Sequence, residues 1–147
     1  MSVDWGVVPI VPEIQDWLKE NGFVIEISET RYPTFDELIV VLETFNLPVK
    51  KDQIKENLFD IVVGEINSDQ YAYILGSIEK DGFEFHFWGS SCQEQTMLEI
   101  LKRLSVKCGA LVIYESIAAT PLVVDAKTNI EKAIDEWNHR IRERYAE

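Results

Sequence analysis

His86 is the residue from which a catalytic role for this 147-residue chain would start. An imidazole with an unperturbed pKa of about 6.5 exchanges protons near neutrality. Glu84, about 7 Å away on the same side of an extended strand, is placed to orient or charge that ring. Cys92 follows shortly after Trp88, near an expected helix start whose dipole favours a thiolate. A Cys92–His86 dyad is therefore the one nucleophilic pairing the spacing offers. No G-x-S-x-G motif accompanies it, and the only oxyanion loop in reach is Gly89-Ser90-Ser91. No catalytic residue is assigned on this basis.

Metal and phosphate chemistry find less support. His86 and His139 are the only histidines, and no Cys or His stands at C-x₂-C or H-x₃-H spacing. There is no D-x-D-x-D-G calcium loop, no G-x-G-x-x-G and no Walker loop. Neither a metal nor a cofactor is expected. His139 sits beside Trp137, Arg140 and Arg142 on a charged terminal helix and reads as solvated. Cys108 falls on an apolar helical stripe and reads as a small core residue.

The elements that must position these residues are legible from patterning. Helices are expected at about 12–21, 35–46, 92–108 and 129–145. Pro12 sits in the first turn of the first and Asn21-Gly22 ends it, while Gly109 caps the third. Thr34-Phe35-Asp36-Glu37, Ser91-Cys92-Gln93-Glu94 and Thr128-Asn129-Ile130-Glu131 each fit a capping box, in which cap side chain and third residue bond each other's backbone. Strands are expected over Phe23 to Ile27, then in a meander at about 58–66, 70–79 and 83–88, then at Ala110 to Glu115 and Pro121 to Asp125. The turns of the meander are Asn67-Ser68-Asp69 and Lys80-Asp81-Gly82. The order is α-β-α-β-β-β-α-β-β-α in one domain spanning 1–147. The class is α+β, a mainly antiparallel sheet with helices packed on one face.

Parity along the meander divides its side chains. Phe83, Phe85 and Phe87 share one face with Ala72, Ile74, Gly76 and Ile78, which the helices would cover. The other face carries Tyr71, Tyr73, Glu84, His86 and Trp88, whose apolar bodies and polar tips suit a contact surface or wet pocket. A covering segment would instead make these residues a second, minor core.

Charge supplies the other candidate surface. The net charge is −12, with 26 acidic and 14 basic residues. Met1 to Leu75 holds 14 acidic and 5 basic residues, the remainder 12 and 9. Glu13, Asp16 and Glu20 lie on the first helix, followed by Glu26, Glu29, Asp36, Glu37 and Glu43. Such a surface repels phosphate backbones, which argues against nucleic acid, and it either keeps the protein soluble or steers a basic partner. Arg140, Arg142 and Arg144 form a smaller opposite patch. The longest apolar runs, such as Ala110 to Tyr114, fall far short of the roughly 20 residues of a membrane span. Met1 to Val8 does not read as a signal peptide, and two cysteines do not make a disulfide framework, so a cytoplasmic location is expected.

In size, charge and architecture the chain is similar to the small acidic immunity proteins of bacterial toxin systems. That resemblance implies an acidic face that blocks a basic toxin domain, and it carries over no individual residue. Three readings stand. The first is a protein-interaction domain for a basic partner. The second is a small-molecule-binding or hydrolytic domain using the Tyr71/Tyr73/Glu84/His86/Trp88 face with Cys92. The third is a module that homodimerises through a sheet face or edge.

Overall fold

Alternation of large apolar residues builds the centre of the molecule. A computed structural model describes residues 4–24, 30–117 and 119–146. Its strands are β1 (Asp4–Pro9), β2 (Val49–Gln53), β3 (Leu58–Val63), β4 (Ala72–Glu79), β5 (Gly82–Trp88), β6 (Leu111–Glu115) and β7 (Thr120–Val124). The helices are α1 (Pro12–Glu20), α2 (Phe35–Glu43), α3 (Glu94–Cys108) and α4 (Ile130–Ala146). The strands form a single seven-stranded sheet in the order β2-β3-β4-β5-β1-β6-β7, antiparallel at every pairing. The α+β class and the β3-β4-β5 meander follow the sequence pattern.

Two strands do not. The central β1 arises where no element was expected, although Trp5, Val7 and Pro9 alternate as buried residues with Asp4, Gly6 and Val8. The edge strand β2, Val-Lys-Lys-Asp-Gln, is exposed along its length and so has no hydrophobic period to read. Of the strand expected over Phe23 to Ile27, Phe23 and Val24 take no regular structure, and 25–27 lie outside the described residues.

The helix caps also differ from their motifs in two places of three. At α2 the full capping box forms between Thr34 and Glu37. Helix α3 starts at Glu94, with Gln93 as a cap that makes no side-chain bond, so the Ser91-based box is absent. At α4 the cap shifts by one residue: Asn129 Oδ1 accepts from Lys132 N, while Thr128 Oγ1 accepts from Asp125 N. Gly109 ends α3 at φ 87°, a left-handed conformation suited to glycine.

One face of the sheet is roofed from β3 to β7, while β2 stays exposed at its edge. Phe83, Phe85, Phe87, Ile74 and Ile61 join Leu38 and Leu42 of α2, Leu101 of α3 and Trp137 of α4 in one cluster. The roof is therefore α2, α3 and α4. Trp137 is fully buried and its indole Nε1–H donates to the Thr120 carbonyl at 2.9 Å, tying α4 to β7. Helix α1 takes the opposite face. Its Trp17 meets Tyr114 edge-on at 5.7 Å, and Tyr114 points away from the main core that its β6 neighbour Ile113 enters. Leu18 and Val112 are likewise fully buried outside the main cluster.

If Trp137 anchors α4 in this way, Trp137→Ala should lower unfolding stability by about 3–5 kcal/mol, through cavity formation and a lost donor. Urea denaturation reads this directly. A loss below about 1 kcal/mol would show that α4 is held by other means.

Candidate functional site

The second face of the sheet is the candidate site, and its strands divide it in two. Over β6, beside β1, it is covered by α1 through Trp17 on Tyr114. Over β2 to β5 it is open. The open part carries Asp52, Asp60, Tyr73, Leu75, Glu84 and His86, with Trp88 at its end 45% exposed. The roofing segment that would have made these residues a minor core is present only at one end.

Tyr73 and Asp60 are cross-strand diagonal neighbours on this face, and the Tyr73 hydroxyl donates to Asp60 Oδ2 at 2.9 Å. Burial, reinforced by the Asp60 carboxylate, pushes the Tyr73 phenol up to about 12, so it stays a donor throughout the neutral range. His86 and Trp88 meet edge-on at 5.9 Å.

Between β1 and β5 the sheet forks. Their ladder holds only Asp4↔Trp88, Trp5↔Phe87 and Gly6↔His86, after which β1 follows β6 as far as Pro9↔Leu111. The segment at 30–33 bridges the two arms. Thr30 Oγ1 donates to the Ile10 carbonyl beyond β1, and Phe83 N on β5 donates to the Pro33 carbonyl at 2.7 Å. A cavity of about 320 Å³ occupies the fork, lined by Gly6, Tyr32, Ser77, Glu84, His86 and Tyr114 among others. Tyr114 reaches it by lying across β1. A Cβ on Gly6 would stand 2.1 Å from the Tyr114 Cζ, so only glycine permits this approach.

Tyr32 is set by a clamp at its neighbour. The Arg31 guanidinium donates to both Glu37 carboxylate oxygens, at 2.7 and 2.8 Å, and to the Lys107 carbonyl. Glu37 also accepts from Thr34 N in the α2 capping box. Arg31 is the main reason the Glu37 carboxyl lies at about 2 instead of 4.5. Burial raises the Tyr32 phenol, and the nearby Glu84 carboxylate adds to this.

The sequence-predicted residues separate into two sets. Tyr73, Glu84, His86 and Trp88 do share the open face. Tyr71 does not: it precedes β4, where strand parity no longer governs, and is buried in the main cluster. Cys92 is a second correction. It also lies buried in the main cluster. Its thiol donates to the Trp88 carbonyl at 3.2 Å and accepts from Tyr73 N at 3.3 Å. Burial raises its pKa, and burial pushes the Cys108 thiol up to about 11. Gly89, at φ 95°, turns the chain from β5 toward the helix side, and Cys92 N bonds back to its carbonyl. The Cys92 thiol is therefore buried and engaged by backbone at the ends of β4 and β5, where it is not free to act as a nucleophile.

Glu13, Asp16 and Glu20 are exposed on α1. Because α1 lies on the second face, these acids and the open Glu84/His86 surface belong to the same side of the molecule. Arg140 lies over the Phe23 ring at 4.7 Å and Arg144 donates to Asn21 Oδ1, so both basic residues tie α4 to the end of α1. His139 is exposed and faces Glu143 at 3.1 Å. Among the described residues, no group of three His, Cys, Asp or Glu side chains is placed to hold a metal ion. None of their helices is long and apolar enough to cross a membrane.

Sequence reasoning passed over Gly6, Tyr32, Asp60 and Tyr114. Asp60 had a usable signal, as a lone charge in the run Leu58-Phe59-Asp60-Ile61-Val62-Val63. Comparison with known proteins finds no matching family model, and no curated protein or solved structure significantly similar to this chain.

Two outcomes follow. Glu37 has its carboxyl pKa lowered on folding, so the clamp contributes fully above pH 4.5 and is lost as pH falls toward 2. Glu37→Gln should thus destabilise the protein at pH 7, with the difference from wild type vanishing by about pH 2. A pH-independent difference in urea midpoints would contradict the clamp. In the native protein, both buried thiols should resist iodoacetamide at neutral pH and react only on unfolding. One rapidly alkylated cysteine would restore the nucleophile reading.

Proposed function

We propose that this protein is a non-enzymatic interaction domain that docks a basic protein partner on the open half of its second sheet face. The observation that carries the reading is the composition of that surface. Asp52, Asp60, Glu79 and Glu84 share it with the polar-tipped rings of Tyr73, His86 and Trp88. On strands β2 to β5 the one Lys or Arg directed to this side is Lys50, 3.9 Å from Asp52. A carboxylate-rich, aromatic surface attracts a cationic partner over long range and gives it rigid apolar area to bury. The acids of α1 extend the same field. The small size and net charge of −12 support an inhibitor- or immunity-type role, in which occupation of a basic domain is itself the function. A cytoplasmic setting belongs to this proposal. Burial of the Cys92 thiol, bonded to backbone of Tyr73 and Trp88, favours docking over the hydrolytic alternative.

The tagged protein, used as bait in an extract of its own cells, should retain a basic protein at low salt. Screening should release that protein by about 0.5 M salt. Retention should weaken in an Asp52→Lys/Glu79→Lys double variant, and in Glu13→Lys/Asp16→Lys/Glu20→Lys if α1 takes part. A bait that retains no basic protein, or one indifferent to every charge reversal, would refute the docking reading.

A further inference from the structure

We propose that the fork between β1 and β5 is the anchor site for one arginine side chain of that basic partner, an inference that rests on the docking reading above. The cavity, about 320 Å³, has room for an arginine side chain. Its polar groups converge without using one another. Among the described residues, the side chains of Glu84 and His86 and the hydroxyls of Tyr32 and Tyr114 make no hydrogen bond or ion pair. Glu84 stands close enough to Tyr32 to perturb its phenol, as does Tyr114.

The chemistry of this set selects among occupants. An anion would face Glu84, with Asp81 also acting on Tyr32, and no Lys or Arg lines the cavity. A wholly apolar group would leave a carboxylate and two phenols unmatched. A guanidinium matches them. It is planar, presents five donors, pairs a carboxylate through two parallel bonds and lies flat against an aromatic ring. The phenol oxygens of Tyr32 and Tyr114 can accept its remaining donors. An ammonium concentrates three donors at one point and spans these groups less well.

The site is also built at some cost to sequence freedom. Tyr114 reaches the fork only because residue 6 lacks a Cβ. Tyr32 reaches it because the Arg31–Glu37 pair and the Pro33–Phe83 backbone bond hold the bridging segment.

The test titrates the ¹⁵N-labelled protein with acetyl-Gly-Arg-Gly-amide. The amides of Gly6, Glu84 and His86 should shift saturably. The citrulline analogue, planar but uncharged, should not move them at the same concentration, and the lysine analogue should bind more weakly. Glu84→Gln, at an exposed position where folding is not at risk, should weaken the arginine peptide about tenfold. Equal shifts with citrulline or with lysine would overturn the proposal, as would an unchanged affinity in Glu84→Gln or shifts confined to α1. If the fork ignores the peptide while a basic protein still binds in a charge-dependent way, this inference alone fails. If no basic protein binds either, the docking reading fails with it.

Discussion

A nine-residue helix cannot cover a seven-stranded sheet, and most of what this protein offers a partner follows from that mismatch. Strand spacing of about 4.8 Å makes the sheet about 29 Å wide. Helix α1, at 1.5 Å per residue, is about 13.5 Å long and about 10 Å across. Three helices suffice to roof one face from β3 to β7 and bury the Phe83/Phe85/Phe87 ladder. On the other face α1 packs on β6 through Trp17, and strands β2 to β5 meet water. Their residues show the compromise: Leu58, Val62 and Leu75 are half-buried among carboxylates and aromatic tips, instead of forming a second dry core.

The boundary between the covered and open halves is where the sheet forks. Strand β1 cannot follow both neighbours, and its five pairings with β6 outnumber its three with β5. The gap is filled at its rim by 30–33 and crossed by Tyr114 over Gly6. Phenols, a carboxylate and an imidazole that form no side-chain hydrogen bond among the described residues cost little at such a seam while water reaches them. They become valuable when a partner displaces that water with matched donors. The link from packing to function therefore runs through a backbone feature, the divergence of β1 from β5, more than through any reactive side chain.

Much of this was readable from residue order, and the parts that were not have physical reasons. Alternation in β4 and β5 assigns Phe83, Phe85 and Phe87 to one face and Glu84, His86 and Trp88 to the other, because a strand has a fixed period of two. The same rule misplaces Tyr71, which stands just outside β4, and it has no authority over Cys92, beyond the turn at Gly89. Strand β1 escaped notice because Gly6 and Pro9 are poor strand formers in isolation, yet Gly6 is there to admit Tyr114. Charged β2 has no apolar rhythm. Tyr32 and Tyr114 lie far from His86 in sequence, and only the sheet order β5-β1-β6 and the bridging segment bring them to one cavity. Local pattern thus reported faces, while long-range topology decided which residues on a face become neighbours.

The central claim is that the β2-to-β5 half of the second face is open in the free protein. Hydroxyl-radical footprinting read by mass spectrometry tests it most directly. Trp88, His86 and Tyr73 should be oxidised early in the native protein, while the equally reactive rings of Trp137 and Tyr71, buried in the main core, are spared until unfolding. Protection of Trp88 and His86 equal to that of Trp137, in dilute and monomeric protein, would mean that the face is covered and the account is wrong.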